Sequence, residues 1–439
     1  MECKFCGAQI EEGMDICREC GLEVPPEEIK KKKSGWKILV AVVAGVLALS
    51  VLAGFVLNSM GILNIQEILN PEVKENNVFY KETYTTDEKT VDAKANVVIA
   101  KAGDKKLDNG TFQFYYAMEV MDFLNENSYY LSYMGLDYTQ PLDQQYANEE
   151  EGITWQQMFI DSAIANWYNY NLMNLMAEKE NYVISEQMQQ SVDTFDQQLL
   201  EVANSNGFTT AQDMINADFG TGYDVNNYIK YLIDRYKAID YVSYLYEKMA
   251  PSAEEIEAYF AEHEETLAEN GITKDMGYYG DVRHILIQPE GGETDEEGVT
   301  TYTEEAWEAC KTEAQGILDQ WLAGDANEET FAQFANQYSQ DPGSNTTGGI
   351  YTQVQEGQMV EEFDYWLFVE EHEYGDYGLI KTSYGYHIMF FVGLDEIWVT
   401  ETENQMVSEQ IETLTKEAEE TWPIEKEYKK IVLADLKLT

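Results

Sequence analysis

From Ile38 to Leu57 the chain reads ILVAVVAGVLALSVLAGFVL, twenty consecutive residues with no charge and with Ser50 as the only polar side chain. A helix of that length rises roughly 30 Å, the depth of a hydrocarbon core, where backbone amides find no partner but the helix's own carbonyls. The run predicts a single transmembrane helix over 38–57. A cleavable leader would be apolar over only about 7–15 residues, begin near the N-terminus and end in small residues, and this run does none of these. Lys30 to Lys33 and Lys37 lie just before the span, and the next basic residue after it is Lys74. The positive-inside rule therefore puts the N-terminus in the cytoplasm and the residues beyond about 58 outside.

The outer part carries nearly all of the charge. Residues 1–57 hold 7 of the 28 basic and 8 of the 81 acidic side chains, leaving 21 and 73, a net of −52, beyond the run. Such a surface repels phosphate backbones, so nucleic acid is excluded as a partner. With 44% apolar and 13% aromatic residues in 439, the chain can still build two to four cored domains.

Four of the five cysteines form Cys3-x2-Cys6 and Cys17-x2-Cys20, and Gly7 and Gly21 follow the second cysteine of each pair. Each pair can present two thiolates from one tight turn, and two turns supply the tetrahedral four-sulfur set that Zn2+ takes at about 2.3 Å. Two disulfides would need an oxidising compartment, at odds with the cytoplasmic placement. Sulfur fills all four positions and leaves none for water, so the zinc is expected to be structural. The module resembles the short zinc ribbons at the N-termini of bacterial membrane proteins, and what it contacts in the cytoplasm is not written in the sequence. The fifth cysteine, Cys310, shares a helical stripe with Trp307, Ala314, Ile317, Leu318 and Trp321, so it reads as a small buried apolar residue.

Residues 58–95 are polar and weakly patterned and read as a spacer. A short strand, a turn at Gly103–Lys105 and a helix are expected over 96–126. Apolar residues at spacings of three and four predict further helices over 154–180, 185–205, 209–217 and 224–249. Ser252 and Glu255 form a capping box that starts another at about 253.

Only four histidines occur in the chain, and two of them sit inside strand-like runs, His284 in VRHILIQ and His387 in IKTSYGYHIMFF. Between them stand, in order, the words F-A-x-x-A-x-x-Y-S-x-D-x-G-S (331–344), the pair Gly348–Gly349, G-Q-M-V-x-x-F (357–363) and T-x-Y-G-Y-H-I (382–388). These words resemble the parvulin family of peptidyl-prolyl isomerases over about 110 residues. With the anchor and the helical region, the outer portion is similar to extracytoplasmic foldases of the PrsA and SurA type.

The resemblance implies that His284 and His387 come from adjacent central strands and form a catalytic imidazole pair, with Asp341 and Thr382 beside them. It makes Met359 and Phe363, one helical turn apart, the proline pocket, and brings Tyr351 and Tyr384 to its rim. Two departures bear on that pocket. Where the family usually has an acidic residue, Leu and Gly after the glycine pair, this chain reads IYTQV (350–354), so Tyr351 stands at the leucine position, and Tyr384 replaces a small polar residue. No cofactor is expected for isomerisation, and no Lys/Arg cluster is present to hold a phosphate.

The architecture expected is multidomain α+β: a cytoplasmic zinc ribbon (1–24), a basic linker (25–37), the transmembrane helix (38–57), the spacer (58–95), a helical chaperone lobe (96–280) and a parvulin-like domain (281–394) of antiparallel sheet with surrounding helices. Residues 395–439 are expected, by the resemblance, to return to the lobe. The function implied is a single-pass foldase of a Gram-positive-type bacterium, which isomerises X-Pro bonds in unfolded secreted polypeptides and also acts as a chaperone. Two other readings compete with it: a holdase with a weak parvulin domain, and a scaffold through which the ribbon reports to an inner partner.

Overall fold

The computed structural model describes residues 88–294 and 300–438. The ribbon cysteines Cys3, Cys6, Cys17 and Cys20, the predicted span 38–57 and most of the spacer lie outside the described residues. Among the described residues no helix is long and apolar enough to cross a membrane.

The described chain begins with a helix, α1 (Glu88–Lys94), on which Val91 is buried against the following lobe. The end of the expected spacer is therefore folded, because one apolar side chain per turn suffices when a neighbour already supplies the core. A hairpin, β1 (Val98–Ala102) and β2 (Lys105–Asp108), turns at Gly103, whose φ of +58° favours a residue without Cβ. Only the first of these strands was legible in the sequence.

The lobe is built from α2 (Asn109–Glu126), a minor hairpin β3 (Tyr146–Asn148) and β4 (Ile153–Thr154), α3 (Trp155–Glu180), α4 (Glu186–Ser205), α5 (Ala211–Asp218) and α6 (Val225–Met249). Each helix starts where a side chain accepts from an otherwise orphaned amide of the first turn: Asp108, Thr154, Ser185, Thr210 and Asp224. Helix α7 (Ala253–Glu269) opens with the reciprocal Ser252/Glu255 capping box.

The second domain is one antiparallel sheet in the order β8, β5, β10, β9: β8 (Ile350–Gln355), β5 (Tyr278–Ile287), β10 (Tyr386–Glu396) and β9 (Tyr377–Lys381). A two-stranded flap, β6 (Glu293–Thr294) with β7 (Thr300–Thr301), follows β5. Strand alternation divides the sheet's side chains. Ile285, Ile287, Ile388 and Phe390 pack against α8 (Glu304–Leu322) and α9 (Glu328–Tyr338) on one face. Val282, Met389 and Phe391 pack on the other against α10 (Glu361–Asp364) and the π-helical turn Tyr365–Val369 that continues it. Cys310 is buried on α8, where its thiol donates to the Ile287 carbonyl.

The last helix, α11 (Ile397–Thr421), leads back to the lobe. There β11 (Glu425–Lys426) pairs with β1, and Ile431, Leu433 and Ala434 enter the lobe core. Two buried amides hold this segment. Asn109 donates to the Lys430 carbonyl at 2.9 Å and accepts from Val432 N at 3.1 Å, while Gln113, one turn on, donates to the Val432 carbonyl and accepts from Ala434 N, both at 2.8 Å.

Candidate active site

Sheet register explains how the two histidines meet. In the antiparallel pair β5 and β10, His284 lies opposite Met389 and His387 opposite Leu286, so the two imidazoles are diagonal neighbours on one face. Their rings stack with centroids 5.2 Å apart and planes 18° from parallel, and Nδ1 faces Nδ1 at 3.0 Å. Both are buried.

The chain continues at each end. His284 Nε2 lies 3.0 Å from Asp341 Oδ2 and 3.1 Å from Ser344 Oγ, and His387 Nε2 lies 2.9 Å from Thr382 Oγ1. An ionised carboxylate only accepts, so a neutral His284 carries its proton on Nε2 and accepts at Nδ1. His387 then donates from Nδ1 and accepts at Nε2 from the Thr382 hydroxyl. That hydroxyl's oxygen in turn receives the Tyr384 amide at 3.1 Å. Every donor in the neutral chain thus has an acceptor, with one direction from Thr382 to Asp341.

Electrostatics agree with this state. Burial alone would raise the Asp341 carboxyl, but hydrogen bonds from His284, Ser344 and Tyr351 outweigh it and hold the group well below the usual carboxylate range. Burial, and secondarily the neighbouring His284, push His387 down to about 3, so it is neutral near pH 7.

A stability dependence follows. Above the ordinary histidine value of 6.5 the contribution of His387 is fully present, and as pH falls from 6.5 toward about 3 the unfolded chain takes up a proton that the folded chain refuses. The domain should lose stability over this window with a limiting slope of about 1.4 kcal/mol per pH unit. Urea unfolding followed by the His284 and His387 ring signals in NMR checks it; a flat midpoint between pH 6.5 and 4 contradicts it.

Phe363 closes the pair from one side, its ring edge-on to His284 at 5.5 Å and to His387 at 5.7 Å. Met359 is half-buried in the same apolar cluster, but it precedes α10, which starts at Glu361, so the expected helical turn joining it to Phe363 is not present. Tyr351 is brought in, though not as an apolar wall, since its hydroxyl donates to Asp341 Oδ2 at 2.9 Å. Tyr384 contributes its amide while its ring stays exposed on the β9–β10 turn. Ser344, fully buried and bonded to both His284 and Asp341, had no role assigned from sequence although it closes the Y-S-x-D-x-G-S word. Arg283, which precedes His284, is committed to Glu328 and to the Gly348 carbonyl. Among the described residues no cluster of side chains is suited to a metal.

Residues 269–392 match the family model described as the PPIC-type PPIASE domain. Foldase protein PrsA 4 of Bacillus cereus is 35% identical over 85 residues, which is 19% of this chain and 30% of that protein. Foldase protein PrsA 1 of Listeria monocytogenes serotype 4b is 27% identical over 146 residues, 31% of this chain and 49% of that protein. Chaperone SurA of Pseudomonas savastanoi pv. phaseolicola is 33% identical over 113 residues, 26% of this chain and 22% of that protein. The chain thus spans between about a third and a half of the length of the two PrsA relatives. The crystal structure of PrsA from Bacillus subtilis, 17% identical, aligns over 61% of this chain and 87% of that one with a TM-score of 0.32, a likeness too slight to carry an argument. The PPIC-type match begins before β5, ends within β10 and contains every member of the hydrogen-bond chain.

Proposed function

We propose that this chain is a peptidyl-prolyl cis-trans isomerase of the parvulin type with a chaperone lobe, acting on unfolded polypeptides. The observation that carries the reading is the directed chain Thr382, His387, His284, Asp341 beneath Phe363, inside the segment that matches the PPIC-type model.

Rotation about an X-Pro bond faces the amide resonance barrier of ~18–20 kcal/mol, and uncatalysed it takes tens to hundreds of seconds. No covalent step is needed. The catalyst must favour the twisted amide, whose nitrogen is pyramidal and whose carbonyl has lost conjugation, over the planar ground state. Met359 and Phe363 offer an apolar seat for the proline ring. His387, held neutral, and His284, tied between it and Asp341, give the twisted bond a rigid polar floor that does not reorganise during rotation.

The remaining parts of the reading rest on sequence. The run 38–57 anchors the protein in a membrane with its N-terminus inside, the thiolates of Cys3, Cys6, Cys17 and Cys20 hold one structural Zn2+, and the lobe and sheet domain work outside on secreted chains. The donor set fits the metal, because four thiolates are what structural zinc takes.

One variant tests the division of labour. Met359→Ala removes apolar surface from the proline seat and should lower transition-state binding by on the order of 1–3 kcal/mol, roughly ten- to a hundredfold in isomerisation rate on short X-Pro peptides. Suppression of aggregation of a proline-free client should be unchanged. Loss of that suppression in a folded Met359→Ala chain would place client holding in the isomerase groove and favour the holdase reading.

A further inference from the structure

We propose that Tyr351 is a positioning residue of the isomerase site, its hydroxyl committed to Asp341 so as to set the direction of the hydrogen-bond chain through His284 and His387. The proposal rests on the isomerase reading above and deepens it.

Three features build this contact. Strand β8 pairs with β5 so that Tyr351 lies opposite Val282, on the sheet face that carries His284. The Tyr351 ring packs 5.3 Å from the His284 ring at 31°. The phenol oxygen then passes beside Gly343: a Cβ there would lie 2.4 Å from it. Gly343 is not among the glycines with left-handed φ, so the missing side chain serves the phenol and not the turn.

The chemistry gives the hydroxyl a specific task. Asp341 Oδ2 collects the His284 Nε2 proton, the Ser344 hydroxyl at 2.5 Å and the Tyr351 hydroxyl at 2.9 Å. Ser344 could equally donate to a deprotonated His284 Nε2. The Tyr351 hydroxyl has no contact with either imidazole nitrogen and donates to the carboxylate, and burial together with that carboxylate pushes its phenol up to about 12, a neighbouring Ser344 hydroxyl opposing slightly. Without this donor Asp341 takes up a proton more readily. A protonated Asp341 donates to His284 Nε2, which turns every bond of the chain round: His284 then donates from Nδ1, and His387 carries its proton on Nε2 toward Thr382.

The test uses the full chain and short X-Pro peptides. Tyr351→Phe keeps the ring and removes only the hydroxyl. It should lower kcat about tenfold with KM unchanged, as expected for losing one hydrogen bond to a charged group. The acid limb of the pH profile should move toward neutrality by about one pH unit. In an acid titration followed by the nitrogen NMR shifts of His387, the population protonated on Nε2 should appear at higher pH than in the unsubstituted chain. Gly343→Ala should reproduce this loss by displacing the phenol oxygen and add less than about twofold in the Tyr351→Phe background, the non-additivity of two changes acting on one contact. Equal damage by Gly343→Ala in both backgrounds overturns the proposal. So does a Tyr351→Phe chain with unchanged kcat, acid limb and histidine shifts, or one that has lost its folded circular dichroism spectrum. Failure of the isomerase reading looks different: the unsubstituted chain then leaves peptide exchange unaccelerated, while the histidine shifts still report whether Tyr351 sets the direction.

Discussion

Gln113→Leu is expected to destabilise the helical lobe by about 2–5 kcal/mol and to open its C-terminal segment to proteases. Gln113 is fully buried, and its carboxamide supplies both a donor to the Val432 carbonyl and an acceptor to the Ala434 amide. With Asn109 one turn earlier, α2 presents to residues 430–434 the alternation of donors and acceptors that a neighbouring strand would offer. Leucine fills the same space but leaves a buried carbonyl and a buried amide without partners, at about 1–3 kcal/mol each. The urea midpoint of the lobe and the rate of cleavage after residue 427 measure the effect. A change below about 0.5 kcal/mol, the scale of an ordinary surface substitution, would mean that Ile431, Leu433 and Ala434 hold the segment by packing alone.

Gly349→Ala is expected to disable the sheet domain while sparing the lobe. Gly349 has φ +71°, and a Cβ there would lie 2.2 Å from the His284 carbonyl oxygen and 2.8 Å from the Ala335 Cβ. Its own carbonyl receives the His284 amide at 2.8 Å, so the clash falls on the residue that carries the first imidazole. A left-handed non-glycine residue costs about 1–3 kcal/mol and overpacking a similar amount, and β8 can relieve the clash only by leaving β5. Tyr351 would move with it. Isomerisation should be lost beyond detection while aggregation suppression persists; activity near that of the unsubstituted chain would show that the strand tolerates the shift.

The helices were legible because their signals are local. Those expected over 154–180, 185–205, 209–217 and 224–249 occur at Trp155–Glu180, Glu186–Ser205, Ala211–Asp218 and Val225–Met249, with Thr154, Ser185, Thr210 and Asp224 supplying the caps. The pairing of His284 with His387 was legible only through the order of motif words, since periodicity alone gives no register between strands about 100 residues apart. What stayed hidden depends on distant partners. Asn109 and Gln113 look like ordinary polar helix positions until the segment 321 residues away is docked on them. Helix α1 and β2 are short and polar, and only the lobe beside them makes them ordered. Tyr351 was legible as a departure from the family pattern, but its commitment to Asp341 follows from the Gly343 gap, which a sequence presents as one more turn glycine.

Isomerase activity is read from the rate of cis/trans exchange at the X-Pro bond of a short peptide, followed by its NMR signals with and without the full chain. The uncatalysed bond exchanges in tens to hundreds of seconds. Micromolar chain should accelerate that exchange, and peptide binding should shift the ring signals of His284 and His387. The His387→Ala chain, folded by circular dichroism, should leave the rate at its uncatalysed value. A folded, unsubstituted chain that does the same, with both imidazole signals unmoved by peptide, would rule out an isomerase site at His284 and His387.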